Sequence, residues 1–152
     1  MEKELIKIIK TLNKHKIQYM LIGGYAVILY GVKRSTFDID IAIGLSHDNI
    51  VKTSFLIHKI GFVQIHPENS GINPNYGIRF TNGKVDLDLM FIENPIFDNL
   101  YRYHESLQYG GTTIKMPNIM DLVSLKESSM REKDIHDAIE LRNIATLKMR
   151  KK

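Results

Sequence analysis

Residues 37–43 read Phe-Asp-Ile-Asp-Ile-Ala-Ile. In an extended chain this alternation puts Phe37, Ile39, Ile41 and Ile43 on one face and Asp38, Asp40 and Ala42 on the other. A helical period would scatter the isoleucines around the axis, so the segment is a strand with one face in a core. Asp38 and Asp40 then leave the same face. Like charges this close raise each other's pKa unless something compensates. The apolar face is anchored, so the pair cannot rotate away. A divalent cation is the natural compensation, because hard cations take oxygen ligands and keep water and substrate phosphates as the rest of the shell. A solvated sheet face carries the same pattern, so the pair alone does not decide.

A second segment repeats the arrangement. In Lys84-Val85-Asp86-Leu87-Asp88-Leu89-Met90, the Val and Leu residues point one way and Asp86 and Asp88 the other. If the two strands lie close in one sheet, three or four carboxylates converge. A purely structural protein gains nothing from such a cluster, whereas a two-metal site for in-line displacement at phosphorus uses one.

The elements around these strands follow from local signals. Leu5, Ile8, Ile9 and Leu12 fall at helical spacing, so Glu2–His15 is read as a helix. Ile17–Ile22 is a short apolar strand, closed by Gly23-Gly24, and Tyr25–Tyr30 is a short buried helix ending at Gly31. Ser46 is placed to cap a helix running to about Lys59. Phe62–His66 is read as a strand and 70–75 as a loop. Asn82-Gly83 lies between extended runs, Ile78–Thr81 and Lys84–Met90, and this predicts a two-residue hairpin, because both positions tolerate positive φ. Thr112–Met116 is a further strand. Asn118 caps a helix to about Met130. A last helix over 134–149 carries Ile135, Ala138, Ile139, Leu141 and Ile144 as one apolar stripe. Strands and helices in this order give an α+β, α/β-like fold: a mixed sheet flanked by helices, with helices at the C-terminus.

The chain of 152 residues has no repeat or linker and is read as one domain, with a core at about 17–92 and a helical segment at about 118–149. A chain near this size buries roughly 70% of its unfolded surface and needs no staples. Its net charge of +4 admits an anionic ligand without demanding nucleic acid. No apolar run approaches the roughly 20 residues that span a bilayer. The first ten residues lack the apolar stretch of a secretory signal. The chain has no cysteine, so neither disulfides nor thiolate sites enter. A cytoplasmic protein without membrane attachment is the expectation.

Gly23-Gly24 stands between a strand and a helix. Glycines there let a backbone approach a ligand, and the helix start offers free N–H groups, which suits phosphate. Glycines in such a turn are more often turn residues alone. Their weight comes from the order: strand, Gly-Gly, helix, Arg34, then Asp38-x-Asp40.

Gly23-Gly24-Tyr25-Ala26, Gly31, Arg34-Ser35-Thr36 and Asp38-Ile39-Asp40-Ile41 together resemble the signature of the nucleotidyltransferase superfamily, the fold of the DNA polymerase beta catalytic core. The chain is similar to its small stand-alone members. These include aminoglycoside nucleotidyltransferases and the nucleotidyltransferase partners of toxin–antitoxin and abortive-infection systems. Lys84-Val85-Asp86-Leu87 resembles the strand with the third acid, and Asp121-Leu122 with Lys126, then Arg131-Glu132-Lys133-Asp134 with Asp137, the helical segment.

The resemblance implies a reaction that moves a nucleoside monophosphate from an NTP to an acceptor hydroxyl with release of pyrophosphate. Asp38 and Asp40 would hold two Mg²⁺ ions, and Asp86 would complete the shell of one of them. Asp88 shares the face of Asp86, and a swap or joint role stays open. Gly23 and Gly24 would cradle the β- and γ-phosphates. Many relatives carry Gly-Ser at this turn, and here neither Gly24 nor Tyr25 supplies a small hydroxyl. The implied acceptor is an RNA, a protein or a small molecule. The other reading is a catalytically degenerate binding module, such as one component of a toxin–antitoxin pair.

Arg34, four residues before Asp38, is placed for a phosphate contact. Lys126 and Arg131 either line the nucleotide site or belong to a solvated helix face. Lys133 and Asp134 read as helix-start residues. The six histidines show no ligand spacing. Tyr101, Tyr103 and Tyr109 can stack a base, although packing is the commoner fate of aromatics. The basic end, 148–152, reads as a solvated tail.

Overall fold

The computed structural model describes residues 1–129 and 131–151. Met130, where the sequence put a helix end, and Lys152 of the basic tail lie outside the described residues. The chain runs α1 (Glu2–Lys14), β1 (Met20–Ile22), α2 (Gly23–Leu29), β2 (Asp38–Gly44), α3 (His47–Lys59), β3 (Val63–Gln64) and a one-turn α4 (Pro67–Ser70). It continues through β4 (Gly77–Thr81), β5 (Asp86–Ile92), α5 (Asn94–Arg102), β6 (Glu105–Tyr109), β7 (Thr112–Met116), α6 (Ile119–Glu127) and α7 (Glu132–Arg150).

Five strands form one mixed sheet in the order β1-β2-β5-β4-β3, and β6-β7 form a separate hairpin. Among the described residues only β2 and β5 pair in parallel; their neighbours β1 and β4 run antiparallel to them. The parallel pair fixes the site. Ile39, Ile41 and Ile43 of β2 and Leu87 and Leu89 of β5 are fully buried in the main core, with Leu5, Ile8, Ile9 and Leu12 of α1. Everything of opposite parity therefore points to the other face. At the far end of that face Met20 packs with Phe97 and Leu100 of α5 in a smaller cluster.

Helix caps follow the sequence. The Ser46 hydroxyl accepts from the Asn49 amide, and the Asn118 side chain accepts from the Asp121 amide.

Four expectations are corrected. Phe37 is 81% exposed, because β2 starts at Asp38 and residue 37 lies before the sheet. The hairpin at Asn82-Gly83 is closed by the four residues 82–85, between the pair Thr81 and Asp86. Only Gly83 has positive φ there; Asn82 instead accepts from the amides of Lys84 and Val85 through its side-chain oxygen. A two-residue Gly-Gly turn with positive φ occurs at Gly110-Gly111, joining β6 to β7. In α7, Ile135 and Ile139 are 48% and 53% exposed, and the buried stripe consists of Asp134, Asp137, Ala138 and Leu141. Helix α5 and strand β6 carry no sequence-based expectation. Among the described residues no helix is long and apolar enough to cross a membrane.

Candidate active site

The acids meet as neighbours across the β2–β5 ladder. Asp38 stands beside Asp86 and Asp40 beside Asp88. Adjacent strands are about 4.8 Å apart, so four carboxylates share a patch two residues deep. Burial, then the charges of Asp88 and Asp38, push the Asp40 carboxyl up to about 7; Lys126 acts in the opposite sense. Asp38 is also raised, by burial and by Asp88, against the pull of Arg79 and Lys133. Ile22 of β1 is the partner of Asp40 on its other side.

From β4, Arg79 stands beside Asp88. Its Nε donates to Asp88 Oδ1 at 2.7 Å and its Nη2 to Oδ2 at 2.8 Å, a two-pronged pair on a carboxylate only 6% exposed. The same Nη2 lies 3.8 Å from Asp38 Oδ2.

The turn into α2 closes over the acids. Gly23 has φ +72°, and a Cβ there would stand 2.1 Å from Asp40 Oδ2, so the position admits only glycine. A Cβ on Gly24 would stand 2.8 Å from the Thr36 hydroxyl and 3.0 Å from an Arg34 guanidinium nitrogen. No side chain caps α2, which leaves its first-turn N–H groups for another acceptor.

Helices α6 and α7 form the opposite wall. Lys126, 8% exposed, places Nζ 3.0 Å from Asp134 Oδ1 and 3.1 Å from Asp137 Oδ2. Arg131 Nε reaches Asp134 Oδ2 at 2.8 Å, and Arg34 pairs with Asp137. Burial would raise the Asp134 pKa, but hydrogen bonds from Ser129, Lys126 and Arg131 outweigh it and hold the carboxyl at about 2.

Between these walls lies a cavity of about 510 Å³. Gly23, Gly24, Arg34, Asp38, Asp40, Asp88, Lys126 and Arg131, all named from sequence, line it. Asp86 does not; it sits one row outward beside Asp38, and Asp88 takes the inner place. Arg79, Thr36, Lys133 and Tyr76 also line the cavity and were missed as site residues. Arg79 had a signal: it falls on the hairpin strand that pairs with the acid-bearing one. Tyr76 sits in a loop and had none. Beyond the acid row the lining turns apolar, with Met90 and Ile92 of β5 facing Leu122 and Leu125 of α6. The three tyrosines named for stacking lie elsewhere; Tyr101 stacks on Phe97 and His104. Among the described residues no group of three or more acid or imidazole side chains is disposed to hold a metal ion. Asp88 commits both oxygens to Arg79.

No family model matches the chain, and no curated protein matches it by sequence. Solved structures do match. The lincosamide antibiotic adenylyltransferase LnuA, in its lincomycin-bound form, superimposes with a TM-score of 0.65 at 22% identity, covering 95% of this chain and 98% of LnuA. ANT(2″)-Ia in complex with adenylyl-2″-tobramycin gives 0.58 at 15% identity over 99% and 98% of the two chains. A candidate nucleotidyltransferase from Thermotoga maritima gives 0.66 at 14% identity over 95% and 91%. At these identities the likeness is one of fold: this chain has the nucleotidyltransferase fold across nearly its whole length.

Proposed function

We propose that the protein is a Mg²⁺-dependent nucleotidyltransferase. The observation that carries this reading is the row of Asp38, Asp40 and Asp88 on the floor of a cavity whose rim bears an uncapped helix start and the cations Arg34, Lys126, Arg131 and Lys133. In the reaction an acceptor oxygen forms a bond to the α-phosphorus of an NTP, the bond from that phosphorus to the bridging oxygen breaks, and pyrophosphate leaves.

The donor set fits magnesium in part. Asp38 and Asp40 offer hard oxygens whose charges repel each other, and a cation there relieves the repulsion. These two would hold the ion; Asp88, which lines the cavity where Asp86 does not, is held by Arg79. Bound there, magnesium would neutralise charge building on the phosphoryl oxygens. Around it the chain's own groups position the substrate. The first-turn amides behind Gly23 and Gly24 take the terminal phosphates. The Thr36 hydroxyl occupies the space a side chain on Gly24 would fill, and its hydrogen bond among the described residues is a long one, donated to the Asp38 carbonyl at 3.4 Å. It therefore supplies the hydroxyl that the Gly-Gly turn lacks. Arg34 and Lys126 are pre-oriented by Asp137 and Asp134 and hold phosphate charge at low reorganisation cost. The apolar end, at Met90 and Leu125, receives the base or an apolar part of the acceptor.

Calorimetry of NTP binding with and without Mg²⁺, with Asp38→Ala and Asp40→Ala as controls, tests the reading. Mg²⁺-linked binding lost in both variants supports it; binding indifferent to metal and to both changes overturns it. Incubation with labelled NTPs and a panel of RNA, protein and antibiotic acceptors then assigns the acceptor. Stable capture of a partner without label transfer returns the chain to the binding-module reading of the toxin–antitoxin kind.

A further inference from the structure

Arg79 occupies a place that the acids alone would leave to a metal. It lies on β4 beside Asp88, and backbone pairing fixes it there. Its planar fork engages both Asp88 oxygens at 2.7 and 2.8 Å, and the outer nitrogen faces Asp38 at 3.8 Å. The guanidinium thus stands between the two carboxylates that a bridging cation would share. Its charge is permanent, because no pH in the folded range deprotonates it. Arg79 is committed to Asp88 by two hydrogen bonds, which leaves Asp38 and Asp40 as the pair of oxygen donors open to a divalent ion. A metal entering at Asp88 would have to break two charge-assisted hydrogen bonds on a nearly buried carboxylate, and Mg²⁺ sheds its own water reluctantly. Asp40, by contrast, has no ion pair among the described residues.

The geometry points to Arg79 as the second cation of the site: it takes the place of one metal ion, and Asp38 and Asp40 hold a single divalent ion. This rests on the nucleotidyl-transfer reading and revises the two-ion expectation drawn from the sequence. Arg79 acts through Asp88 and the charge balance, so it is a positioning residue.

The test counts Mn²⁺ bound per chain by electron paramagnetic resonance, with a saturating α,β-methylene nucleoside triphosphate, in the unaltered protein and in Arg79→Met and Arg79→Gln. The expected result is one ion in the unaltered chain and two in either variant, because Asp88 is released. Two ions in the unaltered chain overturn the proposal and leave nucleotidyl transfer standing. One ion in all three proteins also overturns it. No bound Mn²⁺ in any of them removes both readings. Should neither variant fold, the count on the unaltered chain still decides.

Discussion

Two clusters of aspartates face each other across the cavity, and their carboxyls are shifted in opposite directions. On the sheet, Asp40 is pushed up to about 7 by burial and by its acidic neighbours. On α7, Asp134 is held at about 2, because Ser129, Lys126 and Arg131 all donate to it. Asp134 is the more thoroughly buried of the two, so burial alone does not separate them. The difference is compensation. The α7 acids are matched with cations and serve to aim Lys126 and Arg34. The sheet acids Asp38 and Asp40 are short of positive charge.

The contrast can be broken by experiment. The largest effect is expected from Asp40→Asn, which should cut nucleotidyl transfer by about 10³-fold or more, since several kcal/mol of transition-state stabilisation go with the metal. It should at the same time raise the melting temperature of the metal-free protein. A lowered melting temperature would show that Asp40 is compensated after all.

Lys126→Met should act the other way. It leaves two buried carboxylates without their shared cation and should cost about 3–5 kcal/mol in chemical denaturation.

Stability against pH, measured without metal, should show two separate limbs. The folded pKa of Asp40 lies above its unfolded value, so the folded state holds the proton more tightly. Stability should therefore fall as pH rises from about 4 to 7, and Asp40→Asn should flatten that limb. Asp134 has a depressed folded pKa, so its contribution is present above about 4 and lost as pH falls toward 2. Asp134→Asn should remove that limb alone.

Thr36→Val should raise KM for the nucleotide about tenfold with kcat little changed, the size of one hydrogen bond to a charged group. The double change Gly24→Ser with Thr36→Ala should recover part of it, and no recovery would argue that Thr36 does not touch phosphate. The smallest effect is expected at Phe37→Ser, within about 0.5 kcal/mol by thermal unfolding, because residue 37 stands outside the sheet.

The sheet half of the site was legible because a strand's period of two tells which residues share a face. That the two acid pairs converge follows from placing two such strands side by side; the parallel register that sets Asp38 beside Asp86 and Asp40 beside Asp88 comes from the fold. Depth was not legible: nothing in Asp-Leu-Asp says which acid faces inward, and that is settled by α2 closing over Asp40 and by Arg79 reaching Asp88. On the helix side Lys126 and Arg131 were legible, and the buried face of α7 was not. A 3.6-residue period finds an apolar stripe, but the buried face of α7 includes Asp134 and Asp137, which enter the interior only with Lys126 and Arg34 from elsewhere in the chain. The hairpin at Asn82-Gly83 departs from expectation through turn chemistry. Asn82 satisfies the turn with its side chain instead of its φ, while Gly110-Gly111 makes the tight reversal between β6 and β7.

One consequence of the β4–β5 hairpin concerns how the protein assembles. Asp88 and Arg79 are nine residues apart, joined by a local turn. The contact of Asp88 with β2, in contrast, waits for a parallel crossover through α3 and β3, and such long closures form slowly. The hairpin can thus arrive at β2 with its acid already escorted by a counter-ion, so that docking does not drive one bare carboxylate against another.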